Sequence, residues 1–156
     1  MHERFSIELL ASIPQAIPVL REWFEAQWPA YYGPGGKGSA LLDLRAYAHR
    51  GSLPVGVVAL EAGRVCGVAA LKAQSIDSHA HLRPWAAAGL VHPAMRGQGI
   101  GGLLLGALEE QARRLGFERI HCATGTAQSL LQHQGWTLLE SVVHDGERLG
   151  VYVKVL

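Results

Sequence analysis

Residues 96–102 form a glycine-rich turn that stands between a strand-like segment and a helix-like one. The turn consists of Arg96, Gly97, Gln98, Gly99, Ile100, Gly101 and Gly102. Before it, residues 85–91 are mostly small and apolar and are followed closely by Pro93, which is typical of a strand and its end. After it, apolar residues recur every three or four positions as far as Leu115, and Gly116 supplies a helix stop. A strand–turn–helix unit of this kind predicts a mixed α/β fold.

The chemistry of the turn favours a phosphate ligand. The N-terminus of a helix carries unsatisfied N–H groups and a partial positive charge, and both attract anions. Glycines allow the backbone to approach a ligand closely, and Arg96 adds a permanent cation. The turn therefore suits a diphosphate. The alternative is that its glycines serve only the tight packing of the strand against the helix.

The same glycines also match the dinucleotide-binding fingerprint, because Gly97, Gly99 and Gly102 have its spacing. That fingerprint expects an acidic residue about 20 residues later, at the end of the next strand, where it binds the ribose. Here the next strand ends at residues 122–124 without a carboxylate. The turn also follows a hairpin instead of opening a βαβ unit. A nicotinamide cofactor is therefore not expected.

The remaining pattern predicts alternating strands and helices. The dipeptides Ala62-Gly63 and Asp145-Gly146 each join two strand-like runs and predict hairpins. Strands are predicted at residues 5–10, 54–60, 64–71, 85–91, 119–124, 137–144 and 148–155, and helices at 13–24, 39–51, 100–115 and 127–134. Loops are predicted at 33–38 and 75–84. The predicted order, β-α-α-β-β-β-α-β-α-β-β, forms one compact domain over residues 1–156.

The predicted helix over residues 100–115 has a charged outer face. Glu109 and Arg113, and likewise Glu110 and Arg114, are four residues apart with the glutamate in the favoured N-terminal position. We expect both pairs on the solvent side of this helix.

Composition and charge limit the partners and the location. Hydrophobic residues make up 49% of the chain and charged residues 17%, which argues against disorder. A formal net charge of +1 gives no electrostatic footprint for nucleic acid. No apolar run reaches the ~18 residues of a membrane span, and the N-terminus lacks the apolar region of a signal peptide. We therefore expect a cytoplasmic protein without nucleic-acid or membrane partners, in which Cys66 and Cys122 are buried, reduced thiols.

Three short motifs in the second half of the chain point to one family. Residues 96–101 consist of an arginine, two residues, a glycine, one residue and a glycine. Residues 90–93 are Leu-Val-His-Pro, and Gly135-Trp136 follows a short predicted helix. These segments resemble the pyrophosphate motif, the central strand and the close of the later half in the GNAT superfamily of acyl-CoA-dependent N-acyltransferases. The resemblance extends over residues 85–136 and implies the GNAT fold, a central mixed sheet of six to seven strands flanked by about four helices.

The resemblance implies that acetyl-CoA is bound as a co-substrate. In this family the central strand separates from its neighbour, and the pantetheine arm of the coenzyme occupies the gap. Main-chain groups of the central strand are expected to bond the pantetheine amides, and the turn is expected to hold the pyrophosphate. The expected coenzyme contacts are Leu90, Val91, Arg96, Gly97, Gln98, Gly99, Ile100, Gly101, Gly102, Thr124 and Ala127.

The implied activity is transfer of an acetyl group from acetyl-CoA to a primary amine by direct attack of the amine on the thioester. An alkyl amine with a pKa near 10.4 is less than about 0.1% neutral at pH 7, so the site needs a base or a desolvating pocket. The tetrahedral intermediate needs an oxyanion donor, for which the N–H of Leu90 or Val91 is suited. The acceptor is expected to be a small molecule or a peptide, and a homodimer is an open alternative to a monomer.

The base is one of several alternatives. His79 and His81 lie in a polar loop with Asp77 and Arg83, and a histidine with a pKa near 6.5 is a fitting base. The alternative is that these are solvated loop residues. No metal is expected at the two histidines, because no further ligands have suitable spacing.

The position of the general acid, which would protonate the leaving thiolate, departs from the family pattern. The family's usual tyrosine lies four residues before Gly135, and that position is Leu131. Tyr152 in the last predicted strand, or Tyr31 or Tyr32 in the early loop, could supply the proton instead. The departure also leaves an alternative function, an acyl-CoA-binding regulatory module with little or no turnover.

Overall fold

The structure is a computed structural model that describes residues 4–156. It contains a seven-stranded mixed sheet with apolar cores on both faces. The strands are β1 (Ser6–Leu9), β2 (Val55–Glu61), β3 (Arg64–Lys72), β4 (Trp85–Val91), β5 (Arg119–Thr124), β6 (Thr137–His144) and β7 (Glu147–Val155). The helices are α1 (Ile17–Gln27), α2 (Pro29–Tyr32), α3 (Ala40–Tyr47), α4 (Ile100–Arg114) and α5 (Gln128–His133). The predicted mixed sheet of six to seven strands is confirmed.

The strand order in the sheet is β1-β2-β3-β4-β5-β7-β6. Every neighbouring pair is antiparallel except β4 and β5, which run parallel. The two predicted hairpins join β2 to β3 and β6 to β7. At both turns the two central residues have positive φ, 50° for Ala62 and Asp145 and 79° for the glycine that follows each. This conformation matches the right-handed twist of the strands, which is why these turn dipeptides predict a hairpin.

Helix α4 covers one face of the sheet. Its buried side chains include Ile100, Leu104, Leu108 and Ala112, which follow the helical spacing seen in the sequence. They pack on residues of β2, β3 and β4, and burial stabilises each large apolar side chain by roughly 1.5–3 kcal/mol. The helix ends before Gly116, whose φ of +88° is the left-handed conformation common after a helix C-terminus.

Helices α1 and α3 cover the other face. Leu20 and Phe24 of α1 and Leu44 of α3 are fully buried in a cluster with apolar residues of β2, β3 and β4. Oγ of Ser39 accepts a hydrogen bond from the N–H of Leu42 at 3.2 Å and so caps α3. In the described part of the chain, none of the helices is long and apolar enough to cross a membrane.

One prediction on the charged face of α4 is wrong. Glu110 does pair with Arg114 at 3.2 Å, as expected. Glu109, however, is only 5% exposed and pairs with Lys154 of β7 at 2.8 Å, while Arg113 lies 3.7 Å from Glu110. The reason is position on the helix, because Glu109 lies on the flank that faces α5 and β7 and not on the solvent side.

Several boundaries also differ from the sequence-based expectation. The first strand is shorter at both ends than the predicted 5–10, and α5 begins after Ala127. Residues Pro29–Tyr32 form one turn of helix, α2, where an entry into a loop was expected, and with it the structure has five helices, in agreement with the expected number of about four. The predicted loop at 75–84 contains a single 3₁₀ turn at Asp77–His79.

Candidate active site

Strands β4 and β5 separate soon after they begin. Among residues 4–156, Trp85 and His121 are the one paired position between these two strands. β4 then carries a bulge near Ala88, whose φ of +54° is uncommon for a residue with a side chain outside a tight turn. β5 meanwhile stays paired to β7 as far as Thr124. The sheet therefore has a gap between β4 and β5 that opens toward their C-terminal ends.

The glycine-rich turn lies at the open end of this gap, because it connects the C-terminal end of β4 to α4. Gly97 and Gly99 have φ values of +78° and +83°, a region that favours glycine. Gly99 is the N-cap of α4, and among residues 4–156 no side chain caps this helix. The first-turn N–H groups of Ile100, Gly101 and Gly102 thus remain available to an anion.

Two glycines of the turn also serve helix packing. A methyl group on Gly102 would lie 2.9 Å from Nε2 of Gln134, and one on Gly101 would lie 3.2 Å from Cδ2 of Leu130. Both neighbours belong to α5 or follow it directly. The packing explanation of the turn therefore applies to Gly101 and Gly102, which allow α4 to approach α5. Gly97 and Gly99 instead set the backbone conformation of the turn through their positive φ.

The end of β4 presents main-chain groups to the gap. The N–H of His92 donates to the oxygen of Cys66 in β3 at 2.9 Å. Because successive main-chain groups of a strand point to opposite edges, the N–H of Val91 points to the gap and that of Leu90 to β3. Nε of Arg96 donates to the oxygen of Val91 at 3.2 Å, which ties the exposed arginine to this edge. The geometry favours Val91 over Leu90 as a donor to a ligand in the gap.

Gln98 carries a buried polar atom inside the turn. Among the described residues, Oε1 of this side chain is buried and has no hydrogen-bond partner. A side-chain amide can be turned over so that its NH₂ group occupies the same position and donates. Because this position is closed to solvent, the Gln98 side chain does not itself indicate an anion at the turn.

β5, the strand on the other side of the gap from β4, ends at Thr124. Its Oγ1 accepts hydrogen bonds from the N–H groups of Thr126 at 3.2 Å and Ala127 at 3.0 Å. The hydroxyl proton of Thr124 therefore remains free to donate. The main-chain N–H of Ala127 is engaged by Thr124 and its oxygen by Leu131, so Ala127 has only its methyl group to offer a ligand.

The two candidate bases differ in availability. His79 is buried, and both of its ring nitrogens are engaged, Nδ1 with Oγ of Ser78 at 2.8 Å and Nε2 with the carboxylate of Glu140. His81 is exposed, and its ring stacks on that of His79 with centroids 5.9 Å apart. Of the pair, His81 has the free imidazole. Within residues 4–156, no group of three or more His, Cys, Asp or Glu side chains could hold a metal ion.

A third histidine, His121, was not singled out by sequence reasoning. It is buried, and Nδ1 lies 3.1 Å from the oxygen of Pro84, so Nδ1 carries the hydrogen and Nε2 the lone pair. Its ring packs on Trp85 with centroids 5.3 Å apart. Burial lowers the pKa of His121, and the neighbouring charge of Arg119 lowers it further, so the ring is neutral at neutral pH. No sequence signal reveals this environment, because it depends on residues 37 positions away.

Tyr152 lies on the opposite face of the sheet from the histidines. Its neighbour Val151 packs with Trp85, whereas Tyr152 itself is fully buried in the cluster beneath α5 that contains Leu131. Its hydroxyl donates to Oε1 of Gln128 at 2.9 Å, in the first turn of α5. The structure thus brings His79 and His81 together but holds Tyr152 on the opposite face of the sheet.

The early aromatic residues mostly pack on one another. Trp28 and Tyr32 surround the buried ring of Phe24, with centroids 5.2 and 5.6 Å away. The hydroxyl of Tyr32 donates to Oδ2 of Asp43 at 2.6 Å, and burial, followed by this hydrogen bond, raises the pKa of Tyr32 well above its usual value. Tyr32 is therefore a poor proton donor. Tyr31 is exposed and free of such a bond.

A known family matches most of the chain. The family described as "Acetyltransferase (GNAT) family" matches residues 17–136. No curated protein sequence matches the chain.

Several solved structures are similar in fold. They include the Salmonella typhimurium protein yncA with its cofactor acetyl-CoA, at 21% identity and a TM-score of 0.74 over 99% of this chain and 95% of that one. An aminoglycoside 6'-N-acetyltransferase complexed with coenzyme A has 13% identity and a TM-score of 0.78, with 96% of each chain covered. Ard1 from Thermoplasma volcanium has 15% identity and a TM-score of 0.74, with 99% of each chain covered.

Proposed function

Because the chain belongs to the GNAT family of acetyltransferases, we propose that it transfers the acetyl group of acetyl-CoA to a primary amine of a small molecule or peptide. The observation that supports this proposal best is the position of the uncapped α4 N-terminus at the open end of the β4–β5 gap. A ligand with a diphosphate at one end and a narrow arm at the other fits that arrangement. Coenzyme A has this shape, and its acetyl thioester supplies the activated acyl group.

The coenzyme is held mainly by main-chain groups in this proposal. The N–H groups from Gln98 to Gly102, together with the guanidinium of Arg96, bind the pyrophosphate. The N–H of Val91 bonds the pantetheine arm along β4. Leu90 takes part less directly, through its position in the same strand. On the β5 side, the free hydroxyl proton of Thr124 donates to the arm, and Ala127 contributes apolar contact.

Removal of a proton from the attacking amine is assigned to the histidines, which lie on the face of the sheet opposite Tyr152. His81 has an accessible ring, and His79 beside it is held by Glu140, an arrangement that keeps negative charge close to the pair. His121 offers a neutral ring with its lone pair on Nε2. A neutral imidazole is the form that a general base requires.

Protonation of the departing thiolate is assigned to Tyr152. Leu131, at the family's usual tyrosine position, is buried and has no proton to give. The hydroxyl of Tyr152 meets Gln128, one helical turn before Leu131, so it approaches the same part of α5 from the sheet. A thiol with a pKa near 8.5 needs only modest help to leave, so a weak donor suffices.

Thiol release tests the proposal directly. The protein is mixed with acetyl-CoA and a panel of primary amines, and free thiol is measured against time. Amine-dependent release is expected for at least one amine. Tight binding of acetyl-CoA without amine-dependent release would favour the second candidate, an acyl-CoA-binding module, which the buried Leu131 supports. No effect of acetyl-CoA on the melting temperature would contradict both candidates.

A further inference from the structure

A second concavity lies near the N-terminal ends of β4 and β5, away from the glycine-rich turn. Its volume is about 580 Å³, which is within the range of about 300–1,000 Å³ that small-molecule sites occupy. The loop before β4 and the connection from α4 to β5 form its sides, and the neighbouring strands form its floor. None of the described residues that line it belongs to the turn at 96–102.

Basic side chains dominate the polar lining. Arg83 and Arg119 both face this concavity, and neither is within ion-pair distance of a carboxylate among residues 4–156. His81 and His121 also line it, and Glu118 is the one acidic lining residue. The lining therefore carries two fixed positive charges, those of Arg83 and Arg119, and one negative charge, that of Glu118. Unpaired guanidinium groups on a concave surface suit a carboxylate or phosphate, which they bind through two parallel hydrogen bonds.

The pKa of His121 is lowered in part by the positive charge of Arg119. Burial is the main reason that this pKa is low, and the charge of Arg119 lowers it further, against the hydrogen bond that His121 donates to the oxygen of Pro84. A cationic ligand would meet repulsion from Arg119.

The rest of the lining is apolar. Leu82, Phe117, Leu139 and Val153 contribute to the walls, and Leu139 is 52% exposed. An inorganic anion would leave this apolar surface in water, whereas an organic anion would cover it.

We propose that this concavity is a binding site for a small organic anion, in which Arg83 and Arg119 hold a carboxylate or phosphate group and the apolar walls hold the body of the ligand. This site is separate from the turn that holds the coenzyme, although His81 and His121 border both this concavity and the site of the acetyl transfer proposed above. Arg83 and Arg119, which hold the anion, have no role in that transfer.

Matched aromatic probes test the proposal by calorimetry on the full chain. Phenylacetate and phenyl phosphate represent the two anion sources, and benzyl alcohol, phenethylamine and inorganic phosphate are the comparison compounds. Saturable binding is expected for one or both aromatic anions, and the better anion identifies the preferred group. Arg83→Ala and Arg119→Ala should each weaken it at least about tenfold, because each removes charge-assisted hydrogen bonds.

Two controls keep the outcome clear. Arg113→Ala/Arg114→Ala removes two positive charges from the outer face of α4 and should leave probe affinity unchanged. Saturating coenzyme A should also leave it unchanged. Absent binding of both anions, equal binding of benzyl alcohol or inorganic phosphate, unaltered affinity in the Arg83 and Arg119 variants, or displacement by coenzyme A would each overturn the proposal.

Discussion

The ammonium group of Lys154 in β7 lies 2.8 Å from Oε1 of Glu109 in α4. The same ammonium donates to the main-chain oxygen of Gln134 at 2.7 Å, just beyond α5. Oε2 of Glu109 accepts from Nε1 of Trp136 at 3.4 Å. One ion pair therefore joins α4, the segment after α5 and the last strand beneath both helices, close to the glycines that contact α5.

Removal of one partner of this pair should destabilise the fold. Glu109→Gln leaves the Lys154 ammonium, whose side chain is 23% exposed, without its carboxylate, and should lower the free energy of unfolding by about 3 kcal/mol. Urea unfolding measures the change. Glu110→Gln, one residue further along the same helix, breaks only exposed pairs and should cost about 0.5 kcal/mol or less. Similar losses in the two variants would show that burial of the Lys154 pair is unimportant.

Coenzyme affinity should depend on Arg96 and Gly99. Arg96→Ala removes a cation, and Gly99→Asp places a carboxylate beside the α4 N-terminus, so each should weaken coenzyme A binding at least about tenfold in calorimetry. Gly63→Asp is the matched control, since Gly63 has a similar φ of +79° but lies in the β2–β3 turn. It should carry the same backbone strain and leave affinity intact. Unchanged affinity in both test variants would remove the turn from the binding site.

Loss of the Tyr152 hydroxyl should affect turnover far more than stability. Tyr152→Phe should lower kcat by about 10²-fold if the hydroxyl is the general acid, and should lower stability by about 1 kcal/mol through its lost bond to Gln128. Steady-state kinetics and urea unfolding separate the two effects. A fall in stability with kcat unchanged would make Tyr152 a structural residue.

Leu131→Tyr should rescue the Tyr152→Phe variant. The added hydroxyl restores a donor at the family's usual position, so kcat should rise above that of the single variant. The larger side chain enters a buried position and should cost about 1–3 kcal/mol of stability. Kinetics are therefore measured below the lowered melting temperature. No rise in kcat for a folded double variant would argue against the proposal that a tyrosine at position 131 can act as the general acid.

Stability should fall in mild acid because of His121. At pH 7.5 this histidine is neutral in both the folded and the unfolded chain. Since the folded pKa is lowered, the unfolded chain gains a proton first as the pH falls below about 6.5, and the free energy of unfolding decreases until the pH passes the folded pKa. Urea unfolding at pH 7.5 and 5.5 should show a smaller loss for His121→Gln than for the wild-type chain. Equal losses would mean that other histidines account for the acid effect.

Local patterns predicted the elements around the turn. The small apolar run at Trp85–Val91 and the helical spacing after Ile100 depend on neighbours in sequence, and the structure has both elements where the pattern indicated them. The two hairpin dipeptides likewise fix their own turns. The seven strand-like segments followed from local signals, whereas their assembly into one mixed sheet was implied by the family resemblance.

Contacts between distant segments could not be predicted in the same way. Glu109 has an arginine at ideal helical spacing, but its partner Lys154 lies 45 residues away and becomes available only when β7 packs beneath α4. The environment of His121 depends on Pro84 and Trp85 in the same manner. Sequence spacing carries no information about which of several histidines the sheet brings to the point where β4 and β5 meet.

The gap in the sheet has a consequence for hydrogen exchange. An amide that faces β3, such as that of His92, is protected by a main-chain bond, whereas the amide of Val91 faces the gap. Neighbouring amides of one strand should therefore exchange at very different rates, and only the gap-facing amide should slow when a ligand fills the space. The exchange rate of the Val91 amide therefore reports whether a ligand occupies the gap, and it can be measured without an assay of turnover.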